Sequence, residues 1–207
     1  MNDRLSKQID FIRELDKLKQ IYRRTFLLDG SRTENDAEHS WHIAVMAILL
    51  AEYAPYEHLD LFRVLKMLLL HDIVEIDAGD TYLYDEQAGQ SKAQREQEAA
   101  DRLFQLLPVD QAAAFRTLWE EFEQRATPEA KFAASLDRFQ PLLHNYLTEG
   151  KAWKKHGVTS DRVIQRCQHI QDGAPTLWAY AETLIQQAVA QGFLAPPPAG
   201  EIRRKEP

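Results

Sequence analysis

Apolar residues recur every three or four positions along most of the chain, and this spacing constrains the fold more than any other feature of the sequence. Within residues 4–25 it places six apolar side chains on one helical face: Leu5, Ile9, Ile12, Leu15, Leu18 and Ile21. We find no convincing alternation with the period of two that marks a half-buried strand, and no repeat of solenoid length. The pattern therefore predicts a single compact all-α domain.

Capping residues, prolines and glycines divide this pattern into separate helices. Asn35 or Asp36 can cap the second helix. Residues 1–194 are expected to form the domain, and the Pro-rich, charged segment 195–207 is expected to be disordered. The predicted helices cover residues 4–25, 35–53, 58–77, 91–107, 109–125, 128–149, 159–171 and 175–192, with a polar loop over 82–91.

Charge and cysteine content narrow the function classes. The chain has 25 Lys and Arg against 32 Asp and Glu, a formal net charge of −7, so we do not expect it to bind nucleic acid through the phosphates. The longest apolar run, residues 44–51, is far shorter than the ~20 residues that span a membrane. With no recognisable signal peptide and one cysteine, Cys167, we expect a cytoplasmic protein without a thiolate cluster.

Two polar residues interrupt the most hydrophobic predicted helix. His71 and Asp72 follow a run of three leucines, and burying both without partners would cost several kcal/mol. A divalent cation would compensate for this cost. Glu75 lies one turn further along the same face, and Asp80 follows the glycine at which the helix is expected to end.

Two other helices add donors of the same kind. His39 lies in the first turn of the second helix, and Asp137 stands between apolar residues of helix 128–149. Two histidines and two aspartates form a mixed N/O set that suits Mn, Co, Ni, Zn or Fe. The alternatives at this point are a solvated His39, a satisfied buried His71–Asp72 pair and an ion pair between Asp137 and Arg138.

Three segments, in this order, resemble the HD-domain superfamily of metal-dependent phosphohydrolases: residues 31–40, residues 71–80 and Leu136-Asp137. Over about residues 10–150 the chain is similar to the branch that contains the bacterial 5′-deoxynucleotidases and human HD-domain-containing protein 2. The resemblance implies a helical bundle with a metal site between its helices, with the motif core at about residues 30–145. It also implies one divalent ion (Mn, Co, Ni, Zn, Fe or Mg), hydrolysis of (deoxy)nucleoside 5′-monophosphates to nucleoside and phosphate, and a homodimer.

The resemblance also implies roles for individual residues. Glu75 matches the glutamate that orients or deprotonates the attacking water, and Asp80 matches the aspartate that contacts the sugar. Arg24 aligns with a phosphate-binding arginine, but the neighbouring tryptophan of the family is Thr25 here, which bears on selectivity for deoxyribose. The implied metal ligands are His39, His71, Asp72 and Asp137, of which Asp72 is also implied to be catalytic.

General phosphoryl chemistry adds Arg32, since Arg24 or Arg32 can neutralise the non-bridging oxygens of a phosphate. Glu75 can instead be a hydrogen-bonding neighbour of the ligands, and Arg24 can be solvated. Two other functions stay open: a regulatory module of the same fold that binds metal or nucleotide, and a phosphohydrolase for another small phosphoester. The presence of Glu75 beside the metal-binding set favours an enzyme, because a binding module does not need a water-activating glutamate.

Overall fold

A computed structural model describes residues 3–198, with the exception of the Glu86 side chain. Its first half contains α1 (Asp3–Leu15), a 3-10 helix (Asp16–Gln20), an antiparallel hairpin of β1 (Tyr22–Phe26) and β2 (Thr33–Asn35), α2 (Asp36–Leu50), a second 3-10 helix (Ala51–Tyr53), α3 (Leu61–Leu70), α4 (Glu75–Ala78) and α5 (Glu86–Gly89). Its second half contains α6 (Lys92–Phe104), α7 (Val109–Gln124), α8 (Pro128–Leu147), α9 (Lys151–Lys155), α10 (Ser160–Cys167), α11 (Ile170–Gly173) and α12 (Pro175–Ala190).

The all-α prediction is confirmed, apart from the small hairpin. Helix α8 lies at the centre and packs against α2, α3, α7, α11 and α12. Its buried side chains join large core residues such as Trp119 and Trp153. Among the helices of the described residues, none is both long and apolar enough to cross a lipid bilayer.

The prediction of a helix over residues 4–25 is wrong beyond Leu15. Residues 22–26 form β1, and Tyr22 pairs with Asn35 while Phe26 pairs with Thr33. Tyr, Thr and Phe fit a strand well. The hydrogen bonds of β1 are made with β2, which begins seven residues after β1 ends. Because this pairing is tertiary, the helical spacing of the apolar residues did not reveal it.

The predicted helix 58–77 is interrupted where its polar pair begins. Helix α3 ends at Leu70, His71 is its C-cap residue, and residues 71–74 form turns before α4 begins at Glu75. Gly79, at φ +73°, ends α4 as expected. The interruption lets His71 and Asp72 point in directions that a straight helix would not allow.

Smaller differences concern short elements. The predicted loop 82–91 contains α5, the predicted helix 159–171 is split into α10 and α11, and α9 was not predicted. Asn35 caps α2 in a capping box with Glu38. In the segment predicted to be disordered, Ala195 accepts a hydrogen bond from the Ser160 backbone at 2.9 Å, and residues 199–207 lie outside the described residues.

Candidate metal centre

The structure brings together the four side chains that the sequence analysis singled out as metal ligands. His39 lies on α2, His71 and Asp72 follow α3, and Asp137 lies on α8. His39 Nε2 is 3.1 Å from Asp137 Oδ1, and His71 Nε2 is 3.1 Å from Asp72 Oδ1 and 3.7 Å from Asp137 Oδ1. All four side chains are buried.

The spacing of these donors fits a single divalent ion. Bonds of about 2.1 Å in octahedral or tetrahedral geometry separate ligand atoms by about 3 to 4.2 Å. The donor atoms of His39, His71 and Asp72 lie within 4.8 Å of one another. A mixed set of imidazole nitrogens and carboxylate oxygens suits first-row divalent ions.

The tautomers of the two histidines provide a second test of this fit. His71 Nδ1 is 2.9 Å from the Leu68 carbonyl oxygen, which only accepts, so Nδ1 carries the proton. His39 Nδ1 likewise donates to Gln140 Oε1 at 3.2 Å. In its neutral form each ring presents an Nε2 lone pair to a carboxylate oxygen, at 3.1 Å in both cases, and only a shared proton or a cation makes such a contact favourable. A cation at this point satisfies these donors together.

Electrostatics favour a positive charge beside His71 and a neutral ring at His39. Burial opposes protonation of His71, but the charge of Asp72 and hydrogen bonds to Asp137 and Asp72 outweigh it and raise the pKa of His71 to about 10. Burial, reinforced by Arg23, lowers the pKa of His39 to about 4. The negative end of the α3 dipole adds to this preference for a cation.

Helix α8 contains a proline close to the candidate ligand Asp137. Pro141 lies four residues after Asp137, inside the helix. Because proline has no N–H group, the Asp137 carbonyl lacks its usual helical donor. A local bend at this point is the expected consequence of Pro141.

A second group of carboxylates adjoins the first. Carboxylate oxygens of Asp36, Glu75 and Asp80 lie within 4.8 Å of one another. Asp36 Oδ2 and Glu75 Oε2 are buried without partners. Burial raises the pKa of Glu75 well above its usual range, together with the charges of Asp72 and Asp36, and burial and the charge of Asp72 raise that of Asp36 to about 7. Such a cluster retains protons or holds a cation.

Arg23 is a central residue that the sequence analysis missed. Its Nη1 lies 2.8 Å from Asp72 Oδ2 and 3.3 Å from Asp36 Oδ1, and its side chain is almost fully buried. The guanidinium therefore joins both carboxylate groups. Alternation along β1 places Arg23 on the same face as buried Thr25, so a strand prediction would have identified it.

A cavity of about 500 Å³ opens onto this centre. Its walls include the predicted residues Glu75, Asp80 and Arg24. Arg32 does not line it, because its guanidinium is held by the Glu38 carboxylate at 2.6 and 2.8 Å on the exposed side of the hairpin. The structure therefore brings Arg24, and not Arg32, to the candidate site.

His42, half-buried, and His144, buried, join a hydrogen-bonded network around Gln140. Gln140 Nε2 lies 3.3 Å from His42 Nδ1 and 3.2 Å from His144 Nε2, and it donates to Glu34 Oε2 at 2.9 Å. Neither histidine lines the cavity. Their contribution is to hold Gln140, which in turn contacts His39.

Comparisons with known proteins agree with this geometry. Residues 15–178 match the family model described as HD domain. The 5′-deoxynucleotidases HDDC2 of Bos taurus and Homo sapiens are 33% and 32% identical to this chain over 136 residues. Each match covers 65% of this chain. It covers 64% of the bovine protein and 65% of the human protein, just under two thirds of either. The crystal structure of a predicted metal-dependent phosphohydrolase from Magnetospirillum magnetotacticum MS-1 superposes with a TM-score of 0.89 at 56% identity, covering 94% of this chain and 100% of that one.

Proposed function

This chain belongs to the HD-domain family, and we propose that it is a metal-dependent phosphohydrolase that acts on (deoxy)nucleoside 5′-monophosphates. The observation that carries the proposal is the convergence of two histidine Nε2 atoms and two aspartates. All of these residues except His39 line a cavity that also contains a buried glutamate and arginines. The names of the HDDC2 relatives support a nucleotide as the substrate. The name of the Magnetospirillum protein supports the reaction type.

In this proposal His39, His71, Asp72 and Asp137 hold one divalent ion, either Mn, Co, Ni, Zn, Fe or Mg. When bound, such an ion supplies a Lewis acid that polarises a phosphoryl oxygen and acidifies water. Asp72 has a further role, because its Oδ2 binds Arg23 at 2.8 Å while its Oδ1 faces His71. It thereby aligns the arginine with the reacting centre.

Glu75 is proposed to orient the attacking water and to take its proton. Its Oε2 is buried without a hydrogen-bond partner, so it is free to accept one from water. Its raised pKa, caused by burial and by the charges of Asp72 and Asp36, makes the ionised carboxylate a stronger base than an exposed glutamate. Proton transfer to Glu75 would leave a hydroxide that attacks phosphorus. The bond from phosphorus to the 5′ oxygen would then break, and the departing 5′ oxygen would take a proton from Glu75 or from water to give the nucleoside.

The hairpin and the loop after α4 are proposed to bind the substrate. Arg23 and Arg24 both line the cavity and can neutralise the phosphoryl oxygens as charge redistributes. Asp80 is proposed to contact the sugar. Thr25, buried against the same cavity, leaves more room than the tryptophan of the family, and we propose that discrimination between deoxyribose and ribose is relaxed accordingly.

The protein is also proposed to form a homodimer. Large apolar side chains are exposed on neighbouring helices α2 and α3, including Trp41 at 65% and Phe62 at 68%. Together with the apolar groove between α1, α2 and α3, they provide a surface for a second copy. Light scattering during size-exclusion chromatography should give twice the chain mass of 23.9 kDa, and a mass of one chain would contradict the dimer.

The phosphohydrolase proposal is tested by phosphate release from 5′-mono-, di- and triphosphates of ribo- and deoxyribonucleosides. Metal-stripped protein is assayed with Mg, Mn, Co, Ni or Zn added back, and metal content is measured in parallel. We expect metal-dependent turnover of the monophosphates. If no substrate of the panel releases phosphate although metal is bound, the nucleotidase proposal is overturned, and a regulatory module or a phosphohydrolase for another phosphoester is favoured.

A further inference from the structure

We infer that the cavity contains a second anion subsite, formed by Arg125, Arg138 and Arg166, which binds a second phosphate group of the substrate. This inference rests on the proposed function, because it places the first phosphate at the metal centre. It extends that function from nucleoside monophosphates to nucleotides with two phosphates. All three arginines line the cavity.

Arg125 is the residue that indicates a ligand most directly. It lines the cavity and is partly buried, yet its guanidinium makes no ion pair or hydrogen bond within residues 3–198, and its buried Nε has no partner. Burial, followed by the charge of Arg138, lowers its pKa. The charges of Asp137 and Glu123 act on it without a direct contact. A partly buried cation that no anion contacts favours the binding of an anionic ligand.

The backbone of Arg125 is unusual as well. It ends α7 in the left-handed conformation, at φ 50° and ψ 34°, and its N–H donates to the Glu121 carbonyl. Glycine is the residue that usually occupies this conformation at a helix end, and another residue is strained there by about 1 kcal/mol. The chain therefore retains a large cationic side chain at a position where a glycine would be more stable.

Arg138 connects this subsite to the metal centre. It directly follows the ligand Asp137, and its Nη1 lies 3.4 Å from Asp137 Oδ2. Its side chain is only 16% exposed, and within the described part of the chain this is its single ion pair. Asp137 Oδ1 faces the two histidines, whereas Arg138 contacts the other carboxylate oxygen through Nη1 alone.

Arg166 lies on α10, which contributes no metal ligand, and its exposed side chain stands at the rim of the cavity. Arg23 and Arg24, on the hairpin, are the separate pair assigned to the reacting phosphate. Arginines from the hairpin and arginines from the helical elements therefore line one cavity, together with Lys92. Its volume of about 500 Å³ lies within the range for nucleotide-sized ligands. Phosphate matches the guanidinium fork better than other common anions.

Binding to the manganese-loaded Glu75→Gln variant tests the inference without turnover. Calorimetry compares AMP with ADP, adenosine 2′,5′-bisphosphate and adenosine 3′,5′-bisphosphate. We expect at least one of the doubly phosphorylated ligands to bind tenfold or more tightly than AMP. With Arg125→Gln added to this variant, most of the gain in affinity over AMP should disappear, while the affinity for AMP itself changes less than threefold. Arg125→Lys in place of Arg125→Gln should retain part of the gain.

Arg13→Gln, at an exposed residue of α1 outside the cavity, is the matched control and should leave the gain unchanged. If Arg125→Gln does not fold, Arg166→Gln should reduce the gain in its place. The inference is overturned if no doubly phosphorylated ligand binds more tightly than AMP, or if the gain persists in the folded arginine variants. Phosphate release by the wild-type protein is scored separately, so a failed subsite leaves the phosphohydrolase proposal intact.

Discussion

Gln140 Oε1 accepts a hydrogen bond from His39 Nδ1 at 3.2 Å in the interior of the protein. The Gln140 amide cannot be flipped, because its Nε2 donates a hydrogen bond to Glu34 Oε2 at 2.9 Å. The orientation of Gln140 thus sets the His39 tautomer and directs Nε2 to Asp137. A residue that touches no substrate thereby controls a ligand of the proposed metal.

Replacing Gln140 with leucine should weaken metal binding. Loss of a hydrogen-bonding neighbour of a ligand typically lowers metal affinity by about 10–100-fold, and we expect a change of this size in the Mn²⁺ or Co²⁺ dissociation constant. The dissociation constant is measured by titrating metal-stripped protein with Co²⁺ and recording the Co²⁺ absorption spectrum. The control is Gln94→Leu, whose side chain bonds only to exposed Glu98. Equal affinities in the folded variants would show that Gln140 does not position His39.

Arg23→Met should destabilise the metal-free protein. Removing the guanidinium leaves buried Asp36 without its ion-pair partner and leaves Asp72 with His71 alone. Breaking a buried pair from one side typically costs about 3–5 kcal/mol. Urea unfolding in the presence of a chelator measures this loss. The neighbouring exposed Arg24→Met is the matched control and should cost less than about 1 kcal/mol. Added Mn²⁺ should stabilise Arg23→Met more than wild type, and an equal response would contradict this assignment.

His169 should make stability depend on pH. Burial, followed by the charge of Arg125, lowers its pKa from 6.5 to about 4. The unfolded chain therefore binds a proton that the folded chain rejects, so this contribution is present above pH 6.5 and is lost as the pH falls to about 4. Allowing for partial exposure, it amounts to at most about 2 kcal/mol.

Comparing His169→Gln with wild type isolates this contribution. The difference between the two unfolding free energies should be constant above pH 6.5 and should shift against wild type as the pH falls to about 4, because carboxylate titrations are common to both proteins. Exposed His58→Gln is the control. A difference that is constant over this range would show that His169 titrates normally.

Asp80→Asn should change sugar preference without removing the metal. Asp80 lines the cavity and is proposed to contact the sugar, whereas the proposed ligands are other residues. We expect the ratio of kcat/KM for dAMP to that for AMP to change by roughly tenfold, about 1.4 kcal/mol, with unchanged metal content. An unchanged ratio would remove Asp80 from sugar recognition.

Three of the four proposed ligands could be found from the sequence because they are polar residues in helices that are otherwise largely apolar. His39 lies between Glu38 and Ser40 and lacks this signal. Asp137 stands between Leu136 and Arg138 in a helix that is mostly buried, and His71 follows three leucines. Local periodicity therefore identified residues that must point inwards. Their convergence came from the family resemblance rather than from the spacing.

The roles of Arg23 and Gln140 could not be predicted in this way. Arg23 reaches Asp72 because residues 22–26 form a strand, and that strand exists because it pairs with β2 rather than through local preference. Gln140 looks like an ordinary helical residue, and its importance depends on contacts with segments about 100 residues away. Both roles depend on tertiary structure, which one sequence does not reveal.

Phosphate release from dAMP by the Glu75→Gln variant, beside wild type and with metal content measured in both, tests the central proposal most directly. Glutamine keeps the shape of Glu75 but cannot take a proton from water, and a general base contributes about 10²–10⁴-fold. We predict equal metal content and turnover at least 100-fold lower in the variant. Turnover near that of wild type, with metal bound, would contradict the assignment of Glu75 as the base.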